Sequence, residues 1–149
     1  MDRALSYLGL AQKAGLLEAG EESAGAAARR GKAKLLLLAA DASDNARRRA
    51  EGFVYGRKIP LARLPFTKEQ ISAATGRPGC SMVALTDTGL ASSIMKTLAE
   101  ASPDEYGAIA EELRLKNETA ARRRREAAAH QRNKRLGKKR AERKTDGGK

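Results

Sequence analysis

The sequence has few of the residues that crosslink small proteins or bind metals. It contains one cysteine, Cys80, and one histidine, His130. A single cysteine excludes an internal disulfide and any zinc site built from several cysteines. His130 lies in a basic segment with no second metal ligand near it along the chain. We therefore expect neither a metal nor any other cofactor.

Signals for membrane insertion and for catalysis are also lacking. No apolar stretch approaches the roughly 20 residues of a membrane helix, and the N-terminal residues carry an acid and lack a hydrophobic signal core. A cytoplasmic protein is expected. HExxH, GxSxG, P-loop and GxGxxG patterns are absent, which predicts a non-enzyme without catalytic residues. Asp41 and Asp87 follow predicted strands, so a small-molecule site stays open beside their favoured role as turn and helix-cap residues.

Aromatic residues are scarce as well. The chain has no tryptophan, three tyrosines and two phenylalanines, and they do not form the clustered strand pattern with which single-strand binders stack bases. If the protein binds RNA, the expected mode is recognition of a folded RNA shape through phosphate contacts and a helix N-terminus.

What the sequence does have is positive charge. Lys and Arg number 30 against 18 Asp and Glu, which gives a net charge of +12 and a pI near 10.3. Such a surface attracts polyanions, nucleic acids first among them. Residues 1–100 carry a net +5 and residues 101–149 a net +7. The predicted phosphate contacts in the second segment are Arg122, Arg123, Arg124 and Arg125; a tail that only aids solubility remains the alternative.

Apolar patterning divides the chain into two parts. Helical and strand-like segments alternate over residues 1–100, which predicts an α/β fold, a three-layer α/β/α sandwich with a mixed sheet. Strands are expected at residues 35–40, 59–64 and 82–86, and helices at 2–14, 20–30, 43–56, 67–75 and 88–98. The last three helices carry N-cap signals, namely Ser43, then Thr67 in a capping box with Gln70, then Asp87 or Thr88. Residues 101–149 contain no apolar side chain larger than alanine between Leu115 and Leu136. They are therefore predicted to form a basic tail, helical or disordered.

Several runs of sequence carry a family resemblance. They are Gly20 to Ser23, then RGKAKLLLLAADAS from Arg30 to Ser43, then residues 59–61, residues 66–71, and Gly76-Arg77 before residues 83–87. In order and spacing they resemble the kink-turn-binding ribosomal proteins, namely archaeal large-subunit protein seven-Ae and its bacterial relatives. The opening LGLAQKAG, from Leu8 to Gly15, is similar to the small bacterial members.

The resemblance implies where RNA is bound. The second helix would contact it at its start, through Gly20, Glu21, Glu22 and Ser23, and the turn Arg77, Pro78 and Gly79 would lie against the same RNA. Arg29, Arg30, Lys32 and Lys34 would contact phosphates. That turn also has an ordinary interpretation as a helix-to-strand connection.

At one position the chain departs from the family pattern. The family follows its glycine with Asn-Glu and, three residues later, a lysine. Without gaps, Glu22 and Ser23 take the first two places and Ala26 the third; shifted by one, they fall on Glu21, Glu22 and Gly25. The lysine is missing in either alignment.

These observations predict a non-catalytic protein that binds structured RNA, kink-turn-like or ribosomal. Ribosomal RNA is the expected partner, the ribosome or another ribonucleoprotein is a candidate assembly, and the protein itself would be a monomer. The alternative is a protein-interaction adaptor of the same fold with reduced RNA selectivity.

Overall fold

The computed structural model describes residues 2–78 and 80–147, with side chains described as far as residue 137. Ten elements follow one another along the chain. They are α1 (Arg3–Lys13), β1 (Leu17–Ala19), α2 (Glu21–Arg29), β2 (Leu35–Leu38), α3 (Asp44–Val54), β3 (Leu61–Arg63), α4 (Lys68–Thr75), β4 (Met82–Leu85), α5 (Thr88–Ala101) and α6 (Pro103–Gly147).

The four strands form one mixed sheet in the order β1-β4-β2-β3. β2 pairs with β3 in parallel, and β4 runs antiparallel to both of its neighbours. Consequently β1, β2 and β3 all end at the edge of the sheet where β4 begins. Below, this edge is called the α2-start edge, because α2 begins directly after β1.

The central strand β2 explains the layering. Its four leucines are all buried, and alternate side chains of a strand point to opposite faces. Leu35 and Leu37 belong to a core shared with α1, α4, α5 and the first turns of α6. Leu36 and Leu38 belong to a second core under α2 and α3. The predicted three-layer α/β/α sandwich with a mixed sheet is therefore confirmed.

Side chains at the predicted helix starts define several boundaries. Ser43 Oγ accepts from Ala46 N at 3.1 Å, and Thr67 forms a full capping box with Gln70. Asp87 Oδ2 accepts from Leu90 N at 2.9 Å, which identifies Asp87 rather than Thr88 as the cap of α5. Such caps each stabilise a helix by about 1 kcal/mol.

The core continues past residue 100 into the first turns of α6. Tyr106 and Leu113 are buried in it, and the Tyr106 hydroxyl donates to Arg63 O at 2.7 Å. The chain divides into two compact units after Arg114. In the second unit the residues of α6 are helical, and no side chain from residue 115 to residue 137 is buried. Of the two predicted states of the tail, the structure has the helical one.

None of the helices in the described ranges is long and apolar enough to span a membrane.

Candidate nucleic-acid interface

The start of α2 is open on the protein surface. Gly20 has φ 92° and ψ 157°, a conformation that glycine adopts far more readily than other residues, and Gly20 N donates to Met82 O at 2.8 Å. The helix begins at Glu21 without a side-chain cap. The first-turn N–H groups of an uncapped helix lack helical partners and carry its positive dipole end, a combination that suits anions. Glu21 and Glu22 partly offset that positive end.

The sheet topology brings other helix starts to the same edge. Because β2 and β3 are parallel, α3 and α4 both begin at the α2-start edge, where β4 also begins. The result is a shallow depression between these segments. Together with the first turn of α2, we call it the three-helix surface, which comprises Glu21, Glu22, Ser23, Ser43, Asn45, Arg49, Lys68 and Ser81.

An ion pair links two helices across this surface. Arg49 Nη1 of α3 lies 2.5 Å from Glu21 Oε2 of α2, with 63% of the arginine side chain and 29% of the glutamate exposed. An exposed pair of this kind contributes about 1 kcal/mol or less to stability. The Arg49 guanidinium is therefore held beside the start of α2 and can exchange its carboxylate partner for a phosphate at little cost.

The structure distinguishes the two alignments of the family motif. Glu22 and Ser23 are exposed, and Ala26, one turn later, is half-buried. Gly25 is buried, and a Cβ built on it would lie 2.6 Å from Phe53 Cζ of α3. Only the gapless alignment, with Ala26 in the lysine place, therefore puts all three positions on the outward side of the helix.

The predicted phosphate contacts of α2 lie at its other end. Arg29, Arg30, Lys32 and Lys34 are all exposed. Arg29 is the last residue of α2, yet it lines a depression together with Glu21, Glu22 and Arg49. Arg30, Lys32 and Lys34 follow α2 and precede β2 at the opposite edge of the sheet, where Lys34 N donates to Leu85 O at 2.7 Å. At 1.5 Å per residue, the nine residues of α2 place Arg30 about 13 Å from Glu21. A small RNA contact at the start of α2 can therefore include Arg29 but does not extend to Arg30, Lys32 and Lys34.

The turn after α4 is placed differently from the start of α2. Arg77 and Pro78 are exposed. In the amide orientation that satisfies both side chains, Gln12 of α1 accepts from Arg77 Nε at 2.9 Å and from Nη2 at 3.2 Å. Since α1 and α2 cover opposite faces of the sheet, the Arg77 guanidinium is bound on the far side from α2. Gly79 lies outside the described residues.

Two carboxylates considered for a small-molecule site are far apart. Asp41 follows β2, and its Oδ1 accepts from Lys68 N at 2.8 Å. Asp87 follows the antiparallel β4 and caps α5. They therefore lie at opposite edges of the sheet in turn and cap roles. Within the described part of the chain, no group of three or more His, Cys, Asp or Glu side chains could hold a metal ion.

The tail arginines Arg122, Arg123, Arg124 and Arg125 are all exposed on α6. With 3.6 residues per turn, four consecutive side chains point in four directions around the helix. They form a ring of charge, which suits contact with phosphates and provides no fixed recognition pattern.

Sequence reasoning did not assign Ser43, Asn45, Arg49, Lys68 or Ser81 to the interface. The available signal was indirect. Ser43 and Thr67 were recognisable as helix caps following strands, and ligand sites of α/β sheets collect where parallel strands end. The parallel pairing of β2 with β3 had to be known before that rule could be applied.

Comparison with known proteins agrees with this fold. The model of the "Ribosomal protein L7Ae/L30e/S12e/Gadd45 family" matches residues 2–95. One relative, "RNA-binding protein YlxQ" of Enterococcus faecium, is 33% identical over 89 residues, which make up 60% of this chain and 84% of that protein.

Two solved structures share the architecture. A protein of unknown function from Bacillus halodurans C has a TM-score of 0.60 at 24% identity, covering 65% of this chain and 97% of its own. The Giardia lamblia 15.5kD RNA binding protein has a TM-score of 0.51 at 16% identity, covering 64% and 82%. At these identities both support the fold alone. Because the family model spans more than half of the sequence, the chain belongs to the ribosomal protein L7Ae/L30e/S12e/Gadd45 family.

Proposed function

We propose that this chain binds structured RNA without catalysing a reaction, and that the RNA lies on the three-helix surface. The observation that carries the proposal is the uncapped start of α2, with Glu22 and Ser23 exposed on its first turn. Membership of the family and the similarity to a relative named as an RNA-binding protein support it.

The chemistry of the surface suits a folded RNA. The Glu22 carboxylate accepts hydrogen bonds from amino groups on base edges, and the Ser23 hydroxyl both donates and accepts. Asn45, Arg49 and Lys68 line one depression with Glu21, the first residue of α2, and supply donors for phosphate oxygens. The surface therefore offers groups for base edges and groups for phosphates side by side.

Arg49 compensates for the missing family lysine. Ala26 occupies the lysine place and brings no charge, whereas Arg49 reaches the start of α2 from the neighbouring helix α3. A guanidinium pairs with phosphate through two parallel hydrogen bonds. It can therefore take the place of an ammonium, and it also fixes the orientation of the phosphate.

The target that fits best is a kink-turn-like or ribosomal RNA, bound by a cytoplasmic monomer that is ribosomal or ribosome-associated. The tail arginines add affinity for any RNA, because neutralising phosphates releases counterions and that contribution weakens with salt. The α/β/α unit supplies the shape recognition and the tail supplies the salt-sensitive part.

The test compares two adjacent arginines in the full chain. Arg49→Gln removes the charge beside α2, and Arg48→Gln removes the charge of the neighbouring exposed arginine, which has no hydrogen bond or ion pair within the described residues. Binding to a kink-turn RNA and to a matched duplex is measured at low and moderate salt. We expect Arg49→Gln to weaken kink-turn binding by about tenfold, a typical effect of removing one charge-assisted hydrogen bond, and Arg48→Gln to weaken it much less. Equal effects, or no preference for the kink-turn, would contradict the proposed interface.

The uncharged Ala26 also favours a second candidate, the adaptor that binds proteins with reduced RNA selectivity. Partners of such an adaptor would remain bound to the chain after nuclease treatment. If nuclease treatment releases the partners, the result contradicts the adaptor and agrees with RNA binding.

A further inference from the structure

A second basic surface lies at the opposite end of α2 and α3. Both helices run from the α2-start edge to this end, and parallel pairing sets β2 beside β3, with Leu36 N donating to Pro60 O at 3.0 Å. The residues before Leu36 and those before Pro60 are therefore neighbours. We call this surface the Tyr55 patch, and it comprises Arg30, Lys32, Lys34, Tyr55, Arg57 and Lys58.

Tyr55 is the unusual member of the patch. Its side chain is 85% exposed, the highest value among the large apolar residues on the described surface. The preceding Phe53 and Val54 are half-buried and pack against the core under α2 and α3. Tyr55 N donates to Glu51 O at 3.0 Å. The ring therefore projects into solvent from a backbone position that is fixed by the last turn of α3.

Some of the positive charge here has a structural explanation. Arg57 Nη1 donates to Phe53 O at 3.0 Å, and Arg29 lies over the Phe53 ring at 5.9 Å. Cations at helix C-termini offset the helix dipole. That explanation does not cover Lys32 and Lys34, whose side chains have no hydrogen bond or ion pair within the described part of the chain. It does not explain the exposed ring of Tyr55 either.

We propose that the Tyr55 patch binds a single-stranded segment of RNA, with one base stacked on Tyr55 and the flanking phosphates on Lys32, Lys34 and Arg57. An exposed aromatic ring among basic side chains is the combination with which proteins hold single strands without sequence preference. One isolated ring stacks one base, which does not require the clustered aromatics that the sequence lacks.

The inference rests on the proposed function, because the same RNA would occupy both surfaces. They are separated by about 13 Å along α2. At 3.4 Å per nucleotide, that distance corresponds to about four stacked nucleotides. A folded RNA on the three-helix surface therefore reaches the Tyr55 patch only through a single-stranded extension of about that length.

The experiment uses the full chain with Arg122, Arg123, Arg124 and Arg125 changed to Gln, so that the tail does not mask other interactions. Its probes are a blunt kink-turn RNA and the same RNA with 5′ or 3′ extensions of two, four, six or eight nucleotides carrying 2-aminopurine. We expect affinity to rise by about tenfold, and the fluorescence to be quenched, once one of the two extension series reaches about four nucleotides.

Two substitutions at Tyr55 separate stacking from folding. Tyr55→Ala should abolish the gain and the quenching, while Tyr55→Phe, which keeps a stacking ring, should retain both. The thermal midpoint of Tyr55→Ala should match that of the parent, because the side chain is 85% exposed.

The outcomes distinguish the two proposals. Tight binding of the blunt RNA without any effect of extension or of Tyr55→Ala would overturn the Tyr55 patch and leave the three-helix surface standing. Failure of the blunt RNA to bind would contradict the three-helix surface. In that case, Tyr55-dependent quenching of an isolated labelled single strand would support the Tyr55 patch alone. Release of a bound protein by Tyr55→Ala, with unchanged RNA binding, would also overturn the inference.

Discussion

Restoring a lysine at position 26 should increase affinity for kink-turn RNA. Ala26 is half-buried on the outward side of α2, one turn after Glu22, so a lysine stem can lie along the helix with its ammonium in solvent. Replacing alanine with lysine costs only a few tenths of a kcal/mol in helix propensity. A hydrogen bond to a charged group contributes about 1.5–3 kcal/mol, which corresponds to a gain of about 10- to 100-fold in affinity.

The assay is titration of a labelled kink-turn RNA and of a matched duplex with the wild type and with Ala26→Lys. Ala73→Lys is the control, because it adds the same charge at an exposed position of α4, which packs on the other face of the sheet. Gains of equal size in the two variants, or an equal gain for the duplex, would mean that net charge alone acts. That result would refute both the assignment of Ala26 to the lysine place and the location of the RNA on the three-helix surface.

Three further predictions concern stability and the tail. Burial, followed by the charge of Glu105, raises the pKa of Tyr106 from 10.0 to about 12. The free energy of unfolding should therefore fall as the pH rises from 10 to 12, and denaturation curves of Tyr106→Phe should show no such decrease. Gly9→Ala should lower the thermal midpoint, since its Cβ would lie 2.8 Å from Ala74 O, whereas Gly52→Ala, with nothing within 4 Å, should stabilise α3 by about 0.5–1 kcal/mol. Changing Arg122, Arg123, Arg124 and Arg125 to Gln should reduce the slope of log affinity against log salt by up to about 3 to 4, and an unchanged slope would exclude the tail from phosphate binding.

The sequence predicted those elements whose ends carry a local chemical signal. Ser43, Thr67 and Asp87 each cap a helix in the structure as their side chains suggested. The apolar run beginning at Leu35 predicted the central strand, because a strand covered on both faces is apolar at successive positions.

β1 was missed because it offers almost no signal. It has three residues, of which only Leu17 is buried, so neither alternation nor an apolar run can be recognised. It is a strand because β4 pairs with it, with Leu17 opposite Leu85 and Ala19 opposite Val83. Its omission had a consequence for the site, since β1 is the strand that places Gly20 beside Met82.

The candidate site was only partly accessible to sequence reasoning for a related reason. A motif read along the chain groups residues 20–34 as one RNA-binding segment, yet the structure spreads them over both ends of α2. Conversely, Arg49 is 28 residues from Glu21 and forms an ion pair with it. The sheet order, which brings α2 and α3 side by side, determines which charges meet.

The same argument changes the meaning of the missing lysine. The uncharged side chain of Ala26 lowers RNA selectivity only if no other cation reaches the start of α2. Arg49 does reach it, and it does so from a helix that packs against α2 where Gly25 closely approaches Phe53. Because that close approach leaves no room for a side chain at position 25, it fixes the spacing of the two helices and with it the position of Arg49. Any substitution that separates α2 from α3, such as a larger residue at Gly25, should therefore weaken RNA binding along with stability, even though Gly25 itself is buried and touches no RNA.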